Sequence, residues 1–86
     1  MDYSIRVARG VALLDFAKID WRSNINLSIL DMSHWKYCIL GQVFGSYVEG
    51  LQKLGMIDPT LYGFVHIPNA LTVWDELAEA WKSILS

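Results

Sequence analysis

The sequence predicts a mainly α fold, a compact single domain over residues 1–86 with about three main helices joined by short connecting turns. The first observation is that residues 4–17 and 35–54 place apolar side chains at steps of three and four, the period of an amphipathic helix. A second is that a similar pattern closes the chain from residue 69 or 72 onward. The third is that no linker, repeat or low-complexity tract separates these segments. We therefore expect one domain.

The first predicted helix runs from Ser4 to about Ala17, with Ser4 as its N-cap. Its apolar side chains form two adjoining stripes, which are Ile5, Ala8, Ala12 and Phe16 on one and Val7, Val11 and Leu14 on the other. Gly10 lowers helix propensity by about 1 kcal/mol relative to Ala. We therefore expect a close packing contact at Gly10.

Residues 18–33 have a mixed pattern. A helical turn is predicted from Asp20 to Asn24. Ile25, Leu27 and Ile29 then alternate with polar residues, which suits a short strand, although the Asn, Ser and Asp residues among them suit turns and caps equally well. The sequence leaves both interpretations of this connection open.

The central segment predicts one long helix from about Trp35 to Leu54, with Ser33 or Asp31 capping its start and Gly55 ending it. Its apolar stripe comprises Tyr37, Leu40, Phe44, Tyr47, Leu51 and Leu54. Gly41 and Gly45 lie one turn apart, which favours the close approach of another helix. That helix belongs either to the same chain or to a second copy in a homodimer formed through the Gly41/Gly45 face.

The C-terminal third begins with a predicted turn, in which Asp58 caps, Pro59 follows and Gly63 ends the turn. Residues 64–67 precede a proline, which favours extended backbone. One small two-stranded pairing with residues 25–29 is therefore an open alternative. The last helix begins at Asn69 or Thr72, where Thr72 and Asp75 approximate a capping box. Its apolar stripe comprises Trp74, Leu77, Ala78, Trp81, Ile84 and Leu85.

Composition and charge exclude several classes of function. The formal net charge of −2 gives no electrostatic attraction to nucleic acid, so we do not expect nucleic acid as a direct ligand. The longest uncharged stretch is far shorter than the ~20 apolar residues that span a bilayer, so we expect no membrane association. The N-terminal residues lack the pattern of a signal peptide, and one cysteine cannot form an internal disulfide. We expect a cytoplasmic protein.

The sequence also predicts that the protein is not an enzyme and holds no metal or cofactor. His34, His66 and Cys38 are the whole inventory of soft metal ligands, too few for a structural zinc site. The stretch from Gly41 to Gly45 is not a phosphate-binding loop, because no Lys-Ser or Lys-Thr pair follows it. Cys38 lies in an apolar run and is interpreted as a buried, inert thiol.

Several stretches resemble a group of small phage and prophage proteins of unknown function. The most specific is Cys-Ile-Leu-Gly-Gln-Val-Phe-Gly, residues 38–45, and the others are residues 6–10, 14–15, 30–32, 46–47, 50–51, 54–55 and 62–64 with Leu77 and Trp81. The resemblance covers nearly the whole chain. It implies a phage accessory protein in the cytoplasm of a host bacterial cell and carries no catalytic role.

The function predicted from these observations is protein–protein binding, with an unidentified host or phage protein as the partner. This prediction rests on the four Trp and four Tyr residues, because aromatic side chains dominate interface hot spots. A more specific hypothesis, which follows from the phage resemblance, is inhibition of a host defence system such as a CRISPR nuclease. The predicted partner-binding residues are Asp75, Glu76, Glu79, Trp35 and Trp21. The alternative is a transcriptional regulator of helix-turn-helix type, although the basic residues of the first half do not cluster.

Overall fold

The regular structure of the described residues consists of four α helices and two short 3-10 helices. A computed structural model describes residues 3–18, 20–55, 57–65 and 74–86. The helices are α1, Ser4–Ala17; α2, Ile39–Phe44; α3, Tyr47–Lys53; and α4, Trp74–Leu85. Within these ranges there is no strand, and no helix is long and apolar enough to cross a membrane. The prediction of a mainly α fold is confirmed.

Helix α1 has the predicted bounds but buries only one of its two predicted stripes. Val7, Gly10 and Leu14 are buried, whereas Ile5 is 66% exposed and Phe16 is 91% exposed. The Ile5 stripe stays exposed because the core covers only one side of this helix. Ser4 is the first helical residue and not the N-cap, a position that Tyr3 occupies without a side-chain capping bond.

The core is built around Trp81 of α4, which packs against α1. Its indole ring stacks on Phe64 with centroids 5.8 Å apart and meets Trp21 edge-on at 6.2 Å. Its Nε1–H donates to the carbonyl oxygen of Gly63 at 2.6 Å. A Cβ at Gly10 would lie 3.0 Å from the Trp81 ring and would collide with the carbonyl oxygen of Tyr62. The predicted close contact at Gly10 is confirmed.

Two short 3-10 helices, Trp21–Asn24 and Leu27–Ile29, connect α1 to the middle of the chain. The first confirms the predicted helical turn. The second shows that the extended interpretation was wrong, because the side chain of Asn26 accepts a hydrogen bond from the backbone N–H of Ser28 at 3.0 Å and caps a helical turn. Residues 27–29 are helical and therefore do not form the predicted strand pairing with residues 64–67. Residues 66 and 67 of that pairing lie outside the described ranges.

The long central helix is broken into α2 and α3, which pack against each other. Gly45 has a φ of +100° between them, and the hydroxyl of Ser46 accepts from the backbone N–H of Glu49 at 3.1 Å to start α3. The cap of α2 is Cys38, whose sulfur accepts from the backbone N–H of Gly41 at 3.3 Å, and not Ser33 or Asp31. The prediction of one helix over 35–54 was wrong because an L-residue helix cannot pass through that φ.

The Gly41/Gly45 face predicted for a homodimer is not formed. Gly41 is buried against its own chain, where a Cβ would lie 2.5 Å from the carbonyl oxygen of Trp35. Gly45 lies in the break and not on the same helix. The glycine at the contact between α2 and α3 is Gly50, where a Cβ would lie 2.8 Å from the Cβ of Leu40.

The remaining turn and helix follow the prediction where the structure describes them. The Oδ1 atom of Asp58 accepts from the backbone N–H of Thr60 at 3.0 Å, and Gly63 ends the turn with a φ of +71°. Helix α4 buries Leu77 and Trp81. Ile84 was wrongly placed on the buried stripe, because it lies in the last turn and remains 46% exposed. The predicted start at Asn69 or Thr72, with its capping box, lies outside the described residues.

Candidate protein-binding site

Residues 31–38, here called the Trp35 loop, form a hydrogen-bonded turn before α2. The backbone N–H of Asp31 donates to the carbonyl oxygen of Tyr37 at 3.2 Å, which closes the loop. Within it, His34 N–H donates to the carbonyl oxygen of Asp31 at 3.1 Å, and Cys38 N–H donates to that of His34 at 3.0 Å. The loop therefore has a fixed backbone although it is not part of a helix.

The Trp35 loop is also tied to the helices behind it. The carbonyl oxygen of Trp35 accepts from the backbone N–H of Tyr47 at 2.8 Å, at the start of α3. The side chain of Gln42 donates to the carbonyl oxygen of Tyr37 at 2.9 Å and accepts from the backbone N–H of Asn26 at 2.6 Å. Because these bonds come from two helices, the position of Trp35 is set by the fold.

The side chain of Trp35 is 60% exposed on this fixed backbone. The His34 ring stacks beside it, with centroids 5.7 Å apart and an interplanar angle of 25°. The ring centroids of His34 and Tyr37 are 4.6 Å apart, and the ammonium group of Lys36 lies 5.8 Å from the Tyr37 ring centroid. The loop thus presents a continuous aromatic surface that an incoming side chain can cover.

A groove of about 200 Å³ opens beside Trp35, and we call it the Trp35 groove. Its walls come from the loop, from the start of α3 and from the two residues that flank the undescribed segment 66–73. The lining residues are Met32, Ser33, His34, Trp35, Cys38, Tyr47, Val65 and Trp74. Since most of them are apolar or aromatic, the groove favours a side chain with a long apolar surface.

The pKa values of three groups in the groove or the Trp35 loop are shifted from their usual values. Burial raises the pKa of the Cys38 thiol above its usual value, so the neutral form prevails at pH 7, and the predicted buried thiol is confirmed. Burial also raises the pKa of Tyr47, with further contributions from charges on Cys38 and Asp58. Hydrogen bonds from Ser33 lower the pKa of Asp31, which stays ionised. Among the described residues, no three His, Cys, Asp or Glu side chains lie together as metal ligands.

One of the five predicted partner-binding residues is buried, and the other four are exposed or partly exposed. Trp35 lines the groove, and Asp75 and Glu79 are exposed on α4, while Glu76 is partly buried. Trp21 was wrongly included, because it is 0% exposed and no partner can touch it. Its Nε1–H donates to Asp15 Oδ1 at 2.7 Å inside the fold.

Sequence reasoning missed His34, Tyr47 and Trp74 as residues of this site. Tyr37 and Tyr47 were assigned to the buried stripe of a helix that the structure breaks. One local signal was available, since Asp31 and Ser33 have the spacing of an Asp-initiated turn and form it, with the Ser33 N–H donating to Asp31 Oδ1 at 3.0 Å. That signal predicts a loop before α2, but it does not predict what packs behind the loop.

Three basic side chains of the first half make contacts within the chain. Arg6 donates to the carbonyl oxygen of Thr60 at 3.0 Å, and Lys18 donates to that of Val43 at 3.1 Å. Arg22 forms a salt bridge with Asp15 at 3.1 Å. These engagements do not favour the helix-turn-helix alternative, which needs basic side chains directed outward at phosphates.

No family model matches this chain, and no curated protein and no solved structure matches it either. The resemblance to phage and prophage proteins therefore remains a prediction from sequence.

Proposed function

We propose that this chain is a protein-binding domain whose contact surface is the Trp35 loop and the Trp35 groove. The observation that carries the proposal is a large, 60% exposed indole on a backbone fixed by hydrogen bonds from two helices. Binding hot spots are enriched in tryptophan, and a pre-ordered backbone reduces the entropy lost on association.

The free energy that burial of Trp35 would contribute supports this role. The exposed three fifths of its surface amounts to roughly 90–150 Å², taking roughly 150–250 Å² for a whole aromatic side chain. At ~25 cal/mol per Å², its burial contributes roughly 2–4 kcal/mol to binding before any other contact is counted. That is the range of a hot-spot residue.

Charge on α4 supports a basic partner. Asp75 and Glu79 are exposed one helical turn apart, and Asp75 directly follows Trp74, which lines the groove. Carboxylates beside an apolar contact raise the rate of encounter with a positively charged protein. We place the partner in a bacterial host, following the phage resemblance, and a defence nuclease with a basic nucleic-acid channel is the class that we propose.

The proposal is tested with Trp35→Ala and the matched control Phe16→Ala, which truncates another exposed aromatic outside the groove. Immobilised wild-type protein is used to capture the partner from bacterial lysate, and calorimetry then measures Kd for the purified partner. We expect Trp35→Ala to weaken binding by roughly 30-fold to 1,000-fold, from the burial free energy above, and Phe16→Ala to change it less than about threefold.

Both variants should melt close to the wild type, because exposed substitutions change stability by about 0.5 kcal/mol or less. If Phe16→Ala abolishes binding and Trp35→Ala does not, the contact surface is the outer face of α1 and the proposal is wrong.

A further inference from the structure

The Trp35 groove has a size and a charge environment that select a particular kind of side chain. We infer that its occupant is the side chain of a lysine or arginine in a basic segment of the partner protein, held between aromatic walls and surrounding carboxylates. This inference rests on the proposed function, which requires only that the partner binds at the groove.

The volume of the groove favours one long side chain. At about 200 Å³ it lies below the roughly 300–1,000 Å³ of typical small-molecule sites. Trp35, one of its walls, is 60% exposed. Lysine and arginine fit such a groove, because their methylene stems pack on apolar surface and their charged head groups bind the faces of aromatic rings.

The aromatic walls favour a cation over a neutral side chain. Trp35, Tyr47 and Trp74 line the groove, and the face of an aromatic ring attracts an ammonium or guanidinium group within about 6 Å of its centroid. The protein already uses this contact for its own cations. Lys18 lies 5.6 Å from the Phe44 ring and Arg22 lies 5.0 Å from the Trp21 ring.

Three carboxylates act on residues that line the groove or directly adjoin one of them in sequence. Asp31 begins the Trp35 loop, and its charge acts on the Cys38 thiol. Asp58 acts on the Tyr47 hydroxyl, and Asp75 directly follows Trp74. The one cationic side chain of the loop is Lys36, whose ammonium lies over the Tyr37 ring. The segments that supply the groove's lining, residues 31–38, 47–53, 57–65 and 74–85, carry six carboxylates and three lysines, which are Lys36, Lys53 and Lys82, and this balance opposes an acidic occupant.

The indole N–H signals of the four tryptophans provide the test, because two of the rings line the groove and two are fully buried. In ¹⁵N-resolved NMR, the full chain is titrated with the peptide acetyl-Gly-Gly-Lys-Gly-Gly-amide and with the same peptide carrying Arg, norleucine or Glu in place of Lys. We expect the Lys and Arg peptides to shift the signals of Trp35 and Trp74, while those of the buried Trp21 and Trp81 stay in place. Norleucine, which keeps the stem without the charge, should bind on the order of tenfold more weakly.

The charge contribution is tested with the triple variant Asp31→Asn, Asp58→Asn and Asp75→Asn. Asparagine still accepts the capping bonds that Asp31 and Asp58 receive from Ser33 and Thr60, so the fold is retained. The variant should bind the Lys peptide on the order of tenfold more weakly at low salt, and the control Asp20→Asn should bind as the wild type does.

The outcomes separate this inference from the proposed function. Equal binding of the norleucine and Lys peptides, or a preference for the Glu peptide, would overturn the cationic occupant and leave the groove as the binding surface. The cationic occupant would also be overturned if no peptide shifted the indole signals while Trp35→Ala still lost binding to the captured partner. If Trp35→Ala retains the partner at wild-type Kd, the proposed function fails, whatever the peptides do.

Discussion

Replacing Gly10 by alanine tests the packing of α1 on α4, since two effects of opposite sign meet at this position. Alanine raises helix propensity by about 1 kcal/mol in a helix interior. Against this, the new methyl group would collide with the carbonyl oxygen of Tyr62 and lie 3.0 Å from the Trp81 ring. Neither neighbour yields easily, because one is backbone and the other is fixed by its 2.6 Å hydrogen bond to Gly63.

Overpacking of a close-packed core costs about 1–3 kcal/mol, and two rigid neighbours place this site near the upper end. The net loss in the free energy of unfolding is therefore about 2 kcal/mol. For a chain of this size, that corresponds to a fall in Tm of about 8–16 °C.

Thermal unfolding followed by circular dichroism measures the Gly10→Ala effect, and urea unfolding followed by Trp fluorescence gives an independent value. The matched control is Ala8→Gly, on the exposed side of the same helix, which should lose about 1 kcal/mol through propensity alone. A Gly10→Ala protein that melts at or above the wild-type temperature would show that the contact between α1 and α4 is looser than these distances indicate.

Three further substitutions and reactions examine the core and the groove. Trp81→Phe keeps an aromatic ring against Phe64 but leaves the buried carbonyl of Gly63 without its indole donor. The free energy of unfolding, measured from the urea midpoint, should therefore fall by about 1–3 kcal/mol. An unchanged midpoint would argue against that hydrogen bond. Gly50→Ala should destabilise the pairing of α2 and α3, since a Cβ there would lie 2.8 Å from Leu40, and a raised Tm would contradict this. The Cys38 thiol should react with a disulfide reagent at pH 8 far more slowly in the folded protein than in urea, because burial raises its pKa and blocks access; similar rates would show an open thiol.

The two terminal helices were predictable because their apolar patterns are uninterrupted and local. The central segment was not, since its stripe of steps of three and four continues through Gly45 without a change of period. Apolar periodicity indicates which side chains share one face of a helix. It does not reveal a break caused by a single residue with positive φ. A glycine between apolar residues is compatible with a helix interior and with a helix end, and only the tertiary packing of α2 on α3 decides between them.

The candidate site was predictable from the sequence only at Trp35. Trp35 and Trp21 looked equivalent in the sequence, yet one lines a groove and the other is wholly buried. The difference arises from a hydrogen bond between Trp21 and Asp15, six residues earlier, together with the edge-on contact with Trp81. Both contacts depend on how α1 turns back on the core, which residue types and spacing do not specify.

The break at Gly45 and the non-helical Trp35 loop before α2 together allow the groove to exist. In a continuous helix, Tyr47 would lie about 18 Å along the axis from Trp35, because twelve residues rise about 1.5 Å each. In the structure, the Tyr47 N–H donates directly to the Trp35 carbonyl at 2.8 Å, and both side chains line one groove.

Gly45→Ala should therefore weaken partner binding as well as stability. Adopting the φ of +100° with a side chain costs about 1–2 kcal/mol, and any relaxation toward a helical φ moves Tyr47 away from Trp35. The matched control is Gly55→Ala, which also has a positive φ, of +86°, but lies after α3 and has no heavy atom within 4 Å of its Cβ position. Measured well below the melting temperature of either variant, the partner's Kd should rise for Gly45→Ala and stay at the wild-type value for Gly55→Ala. Equal Kd values for both would mean that the break does not position the binding surface.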